Sequence, residues 1–351
     1  VRSADSEAAF NSNGKMTDKR RTAVLGAGSW GLTVARLLDG NGHDVSLWEF
    51  EEGSSEFIKR TRRLPDRLPG VSLPTSVRVT NDLAASLDDA SLVAIVTPSH
   101  VVRDVARKMR DLMPEDAVVV SLAKGVEEKT LRRMTEVISE EAPDCADRLA
   151  ALSGPSHAEE VARDQATAVV VASEDEEVAR TVQDAFFRPA FRVYTSPDVI
   201  GVELGGALKN IIAIAAGMID GLNLGDNTRG ALISRGLAEM TRLALKLGAR
   251  FETLSGLAGM GDLITTCISR HSRNRHVGEQ IGRGKTLDVV LSEMAEVAEG
   301  VRTTRSGVAL AKRERVEMPI ATQVERVLYE SIDPKLALAE LLSRDPKPEQ
   351  W

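Results

Sequence analysis

One lysine in this chain sits where charge is costly. In Gly201-Val-Glu-Leu-Gly-Gly-Ala-Leu-Lys209-Asn210-Ile-Ile-Ala, helical spacing surrounds Lys209 with Gly205, Gly206, Ile212, Ala213 and Ala216, a small apolar face. A lysine there is desolvated and its charged form is disfavoured, which tunes the amine for proton transfer near neutrality. A lysine snorkelling at a helix rim gives the same pattern, and the residues alone leave both readings open. Gly205 and Gly206 lower helix propensity, so they need a reason such as close approach of a ligand or another backbone.

Two further segments carry charge that could do chemistry. Leu257-Ala-Gly-Met-Gly261-Asp262 is too glycine-rich for a helix interior and predicts a tight loop presenting Asp262. Arg270-His-Ser-Arg273-Asn274-Arg-His276 packs three arginines and two histidines into seven residues, a local anion trap in an acidic protein. Ser272 is a plausible N-cap, which would leave the backbone N–H groups of Arg273 and Asn274 at a helix start, where phosphate binds well. An exposed basic face without a ligand is the competing reading.

The third chemical signal is a fingerprint. Thr22–Leu25 runs into Gly26-Ala-Gly28-Ser29-Trp30-Gly31, and an amphipathic helix follows through Leu38. Such glycines permit a tight turn, close backbone approach to a pyrophosphate and tight helix–sheet packing, while the helix N-terminus supplies free N–H groups. Glu49 closes the second strand at the expected distance. A carboxylate there accepts hydrogen bonds from a ribose 2′-hydroxyl and repels a 2′-phosphate, favouring NAD over NADP, and Glu51 and Glu52 add to the repulsion. A ligand-free glycine turn and a solvated acidic patch are the bland alternatives.

The elements that must carry these groups fall into two sets. Up to about Thr195, apolar runs at Thr22–Leu25, Asp44–Trp48, Leu92–Thr97, Ala117–Leu122, Ala150–Leu152 and Ala168–Ala172 alternate with amphipathic stretches such as Val101–Met113 and Leu131–Glu140. This pattern predicts βαβ crossovers and a Rossmann-like, doubly wound parallel sheet covered on both faces. No strand is expected beyond Tyr194. Val199–Ile219 reads as a buried helix stopped by Asp220-Gly221, and Arg229–Leu247 as a second stopped by Gly248. Shorter helical patterns follow at Arg302–Arg313, Ala321–Glu330 and Lys335–Leu342. The expected organisation is a disordered tail over 1–20, an α/β dinucleotide-binding domain over 21–195, an all-α domain over 196–345 and a short tail over 346–351. Met16 looks like a natural start.

Composition limits the partners. The 351 residues suit two domains, and 42% apolar with 28% charged residues is ordinary globular usage. A net charge of −7 argues against a general nucleic-acid surface. The longest apolar run, Ile211–Ile219, contains a glycine and falls short of the ~20 residues of a membrane span. Cys145 and Cys267 are too few for a disulfide framework or zinc cage, no metal-ligand spacing is present, and no hydrophobic signal segment precedes the fold. A cytoplasmic protein is expected.

Taken together, Gly26-Ala-Gly-Ser-Trp-Gly31, Ala123-Lys124-Gly125, Ser153-Gly-Pro-Ser-His-Ala158, Gly206-Ala-Leu-Lys-Asn210, Gly259-Met-Gly-Asp262, Ser272-Arg-Asn274 and Val297-Ala-Glu-Gly300 resemble the NAD(P)-dependent glycerol-3-phosphate dehydrogenase family, in family order over roughly 21–343. The resemblance implies reversible hydride transfer between NAD(P)H and dihydroxyacetone phosphate, giving sn-glycerol 3-phosphate for phospholipid synthesis. It implies Lys209 as proton donor and acceptor, Asp262 as its orienting group and Asn210 as a partner at the reacting end. Lys124 is implied to face both substrate and cofactor. Substrate positions map onto Gly154, Ser156, Ser272, Arg273 and Asn274, with Arg273 the main phosphate clamp. Cofactor positions map onto Ser29, Trp30, Phe50, Ala158, Arg273, Val297 and Glu299. Many members carry arginine or histidine at Glu49–Phe50, so NAD is the expected preference here. A homodimer is the expected assembly.

Two other functions fit parts of the pattern. A 3-hydroxyacid or 6-phosphogluconate-type dehydrogenase shares the two-domain plan and a helix lysine, but its substrates carry a carboxylate, and one anion cluster is visible. A non-catalytic NAD-sensing module would use the fingerprint and give Lys209, Asp262 and Asn210 no task.

Overall fold

The structure, a computed structural model, describes residues 19–294, 296–346 and 348–349. Of the two expected tails, 1–18 and residues 347, 350 and 351 therefore lie outside the described residues.

Eight strands form one sheet: β1 (Arg21–Leu25), β2 (Asp44–Trp48), β3 (Arg78–Thr80), β4 (Leu92–Ile95), β5 (Val118–Ser121), β6 (Leu149–Ser153), β7 (Thr167–Ala172) and β8 (Phe191–Ser196). Their order is β3-β2-β1-β4-β5-β6-β7-β8. The central strands are continuous apolar runs because both faces are covered: Val24, Leu47 and Val120 pack on one side, Leu25, Val93 and Val119 on the other. Strand order reverses between β1 and β4, the crevice where such sheets receive ligands, and the glycine fingerprint leaves β1 there.

Three features depart from the sequence reading. β3 and β8 were not among the expected strands. β3 is only three residues long and begins with an exposed arginine, while β8 alternates buried Phe191 and Val193 with exposed Arg192 and Tyr194, as an edge strand does. β7 runs antiparallel to β6, so the sheet is parallel except at that one junction. An apolar run does not reveal its direction. Finally, Leu257–Gly261 is not a loop but a π-wound turn that continues directly into the helix Asp262–Ile268.

The second layer is helical. Its axis is the helix Val199–Gly221, in which every residue from Gly201 to Ile219 is buried. Asp198 caps it, accepting from the Gly201 N–H at 2.8 Å. By length and composition alone this helix could cross a membrane, yet 89% of its most apolar window is buried inside the protein. It is a core helix. Around it pack Gly225–Lys246, Asp262–Ile268, Arg273–Gly282, Glu299–Glu314 and Pro319–Glu330. The contact with Arg273–Gly282 is almost backbone on backbone: a Cβ on Gly217 would lie 1.9 Å from the Arg275 carbonyl oxygen, and one on Gly278 1.9 Å from that of Ile214.

Candidate active site

Lys209 lies mid-helix, and only 5% of it is exposed. Its ammonium donates to Asp262 Oδ1 at 2.5 Å and to Thr266 Oγ1 at 2.6 Å. Of the two readings left open by the sequence, the snorkelling one is excluded. The glycines beside it also have their reasons. A Cβ on Gly205 would sit 2.6 Å from the Ala258 carbonyl oxygen, and one on Gly206 2.4 Å from Ser153 Oγ. These close approaches seat the lysine's helix against the π-wound turn and against the end of β6.

Asp262 is 2% exposed and serves two ammonium groups. Its Oδ1 takes Lys209, and its Oδ2 takes Lys124 Nζ at 2.7 Å. Lys124 follows β5 and also donates to the Gly154 carbonyl at 3.0 Å. Burial alone would raise the Asp262 carboxyl, but Lys124 and Lys209 outweigh it and hold it below the ordinary aspartate value. Lys209 goes the other way. Burial pushes its amine down to about 8, with Lys124 adding to the effect and Asp262 opposing it. An amine poised there exchanges a proton in either direction near neutrality.

The loop after β6 closes this group. Gly154 adopts φ +139°, and a Cβ there would lie 2.9 Å from the Val169 Cα, so the position needs glycine. Its carbonyl accepts Ser156 Oγ as well as Lys124.

The residues of the expected anion trap lie at the start of the helix Arg273–Gly282. Ser272 caps the helix, accepting from the Arg275 N–H at 3.2 Å. Arg273 is half-exposed at 47% of its side chain and lies 3.6 Å from Glu296. Arg275 turns away to Asp220. Asn274 and Asn210 are coupled to each other: Asn274 Nδ2 donates to Asn210 Oδ1 at 2.9 Å, Asn210 Nδ2 to the Gly206 carbonyl, and the Gly300 N–H to Asn274 Oδ1 at 2.8 Å. Both amides thus brace the lysine's helix against Glu299–Glu314.

At the fingerprint, Gly26 has φ +111° and a Cβ on Gly31 would meet the Gly26 carbonyl at 1.8 Å, so both positions admit glycine only. Gly28 precedes the helix Ser29–Gly40 without capping it by a side chain, leaving first-turn N–H groups for an anion. Thr97 Oγ1, whose residue packs on Gly26, is buried without a partner. These features fit a dinucleotide. Ser29 Oγ donates to Glu296 Oε1 at 2.7 Å, and Trp30 is partly buried against the sheet core. Glu49 reaches the same turn, accepting from the Ala27 N–H at 3.3 Å. Phe50 is 63% exposed, with Lys108 Nζ 4.5 Å above its ring. Ala158 contacts the first helix through Thr33, Val297 is exposed, and Glu299 accepts from both the N–H and Oγ of Ser99 after β4.

Sequence reasoning missed Thr266, Ser153, His157, Lys108 and Glu296. Thr266 was accessible: it lies one helical turn beyond Asp262, but the expected loop hid that spacing. The others come near the site only through the fold.

Comparison with known proteins agrees with this geometry. The family described as NAD-dependent glycerol-3-phosphate dehydrogenase N-terminus matches residues 21–179, and its C-terminus counterpart matches 198–339. A glycerol-3-phosphate dehydrogenase [NAD(P)+] of Pelotomaculum thermopropionicum is 51% identical over 325 residues, 92% of this chain and 93% of that protein. One from Geobacter sp. (strain M21) is 51% identical over 330 residues, 94% of this chain and 98% of that one. The crystal structure of glycerol-3-phosphate dehydrogenase from Coxiella burnetii superposes with a TM-score of 0.89 at 39% identity, over 93% of this chain and 99% of that chain. The fingerprint, the buried lysine and these full-length matches together place the chain in the NAD-dependent glycerol-3-phosphate dehydrogenase family.

Proposed function

We propose that this protein catalyses the reversible reduction of dihydroxyacetone phosphate to sn-glycerol 3-phosphate, with Lys209 as the proton donor and acceptor. The observation that carries the reading is the buried Lys209–Asp262–Lys124 chain at the carboxyl ends of β5 and β6. A bound nicotinamide supplies or takes up the hydride. As the substrate carbonyl oxygen gains negative charge, the Lys209 ammonium delivers a proton to it; in oxidation the neutral amine removes the hydroxyl proton. Asp262 and Thr266 fix the amine's direction, so little reorganisation accompanies the transfer. Lys124 adds positive charge beside the developing oxyanion. Arg273 and the N–H groups of its helix hold the phosphate.

Glu49 makes NAD the preferred cofactor, since its carboxylate lies against the fingerprint turn where a 2′-phosphate would be repelled. A cytoplasmic homodimer feeding phospholipid synthesis completes the reading; light scattering tests the assembly. The activity is tested by following NADH oxidation with dihydroxyacetone phosphate, in wild type and Lys209→Ala. Wild-type turnover with loss of most of kcat in the variant, roughly 10²–10⁴-fold, is expected. No turnover by the wild type, or near-normal turnover by the variant, rejects it.

A further inference from the structure

Two buried polar atoms at the end of β6 and in the loop after it have no hydrogen-bond partner among the described residues: Ser153 Oγ and His157 Nε2. Leaving such atoms unpaired is costly, so a native structure keeps them for a reason. They flank Gly154, whose carbonyl anchors Lys124. Ser153 Oγ fills the notch over Gly206, one helical turn before Lys209. The charges that bear on the His157 ring are those of Lys209, Asp262, Lys124 and His271, whose ring centroid is 6.1 Å away. Burial, with the two ammonium groups, pushes the His157 imidazole down to about 4. The ring is neutral at working pH. It neither competes with Lys209 for the proton nor adds a third positive charge to attract the phosphate.

A neutral imidazole suits a neutral partner. Resting on the activity proposed above, the substrate brings a phosphate at one end, a carbonyl in the middle and a single hydroxyl at the other end. Arg273 and its helix take the first and Lys209 the second. The chain of contacts from Lys209 through Asp262 and Lys124 then ends on Gly154, three residues before His157. We propose that His157 Nε2 hydrogen-bonds the substrate's terminal hydroxyl, next to the reacting carbonyl carbon, and with Ser153 makes the enzyme selective for a hydroxylated triose. A hydroxyl both donates and accepts, so either imidazole tautomer serves. A site built around such a bond rejects analogues lacking the hydroxyl, because its own polar atoms stay unpaired.

The test compares dihydroxyacetone phosphate with hydroxyacetone phosphate, which lacks that hydroxyl, each with NADH. The wild type is expected to prefer the hydroxylated substrate. In His157→Phe, which keeps an aromatic ring for packing, kcat/KM for dihydroxyacetone phosphate is expected to fall about 10- to 100-fold. That for hydroxyacetone phosphate stays within about twofold, and His157→Asn restores part of the preference. Equal losses on both substrates, or an unchanged ratio, overturn the assignment. A wild type that turns over both equally does so without any variant. Turnover of neither removes the activity reading itself, and this inference with it. NADH titration by fluorescence confirms that the variants are folded.

Discussion

Glu296 accepts a hydrogen bond from Ser29 Oγ at 2.7 Å, across 267 residues of chain, and its other oxygen lies 3.6 Å from Arg273. A carboxylate therefore rests against the first turn of the fingerprint helix, the seat that suits a pyrophosphate, and partly neutralises the arginine proposed for the substrate phosphate. The phosphates of an incoming dinucleotide would meet this negative charge. Glu296→Gln is expected to bind NADH about tenfold more tightly, near 1.4 kcal/mol, with the gain shrinking at high salt. Fluorescence titration checks it; unchanged or weaker binding would show that Glu296 does not contest the seat.

The lowered Lys209 pKa sets a pH signature with opposite signs for the two directions. Reduction needs the ammonium, so its kcat/KM is expected to hold below about 8 and fall above it. Oxidation needs the free amine, so its kcat/KM rises towards about 8 and then levels. Asp262 opposes the lowering, and Asp262→Asn should move both limbs to lower pH. Profiles that titrate near the ordinary lysine value, or that fail to move in the variant, would count against Lys209 as the exchanging group.

The proposed NAD preference rests on Glu49. Its carboxylate accepts from the Ala27 and Glu51 N–H groups, and Lys108 is held over the neighbouring Phe50 ring. Glu49→Ala is expected to raise kcat/KM for NADPH by at least tenfold while NADH loses a smaller factor. Comparable use of both cofactors by the wild type would remove the argument.

Gly278→Ala tests the packing that positions the anion seat. The added Cβ would lie 1.9 Å from the Ile214 carbonyl, a backbone atom that cannot swing aside. Destabilisation of about 1–3 kcal/mol is expected, read as a lower urea midpoint. An unchanged midpoint would mean that the helices separate easily.

Much of this architecture was legible in the residues, for reasons that can be stated. A sheet covered on both faces demands continuous apolar strands, so β1, β2, β4, β5, β6 and β7 announced themselves, as did the long buried helix between Pro197 and Gly221. β3 was invisible because three residues carry no period. β8 alternates as an edge strand does and so lacks the continuous apolar run that marks the covered strands. The reversal of β7 leaves no mark in composition. At Leu257–Gly261 glycine content pointed to a loop, whereas tight packing of Ala258 against Gly205 accounts for small residues in a helical turn. Lys209 stood out because a charge on an apolar face is rare. His157 and Glu296 did not, since ordinary polar residues acquire their meaning only from distant neighbours.

The interlocked glycines Gly217 and Gly278 have one more consequence. Where Gly217 and Gly278 cross, the helix bearing Lys209 and the helix that begins at Arg273 touch through bare backbone, so at that crossing there is no side chain to trim. On the proposed reading that crossing acts as a caliper, setting the span from amine to phosphate that a ketone substrate of different chain length would have to match.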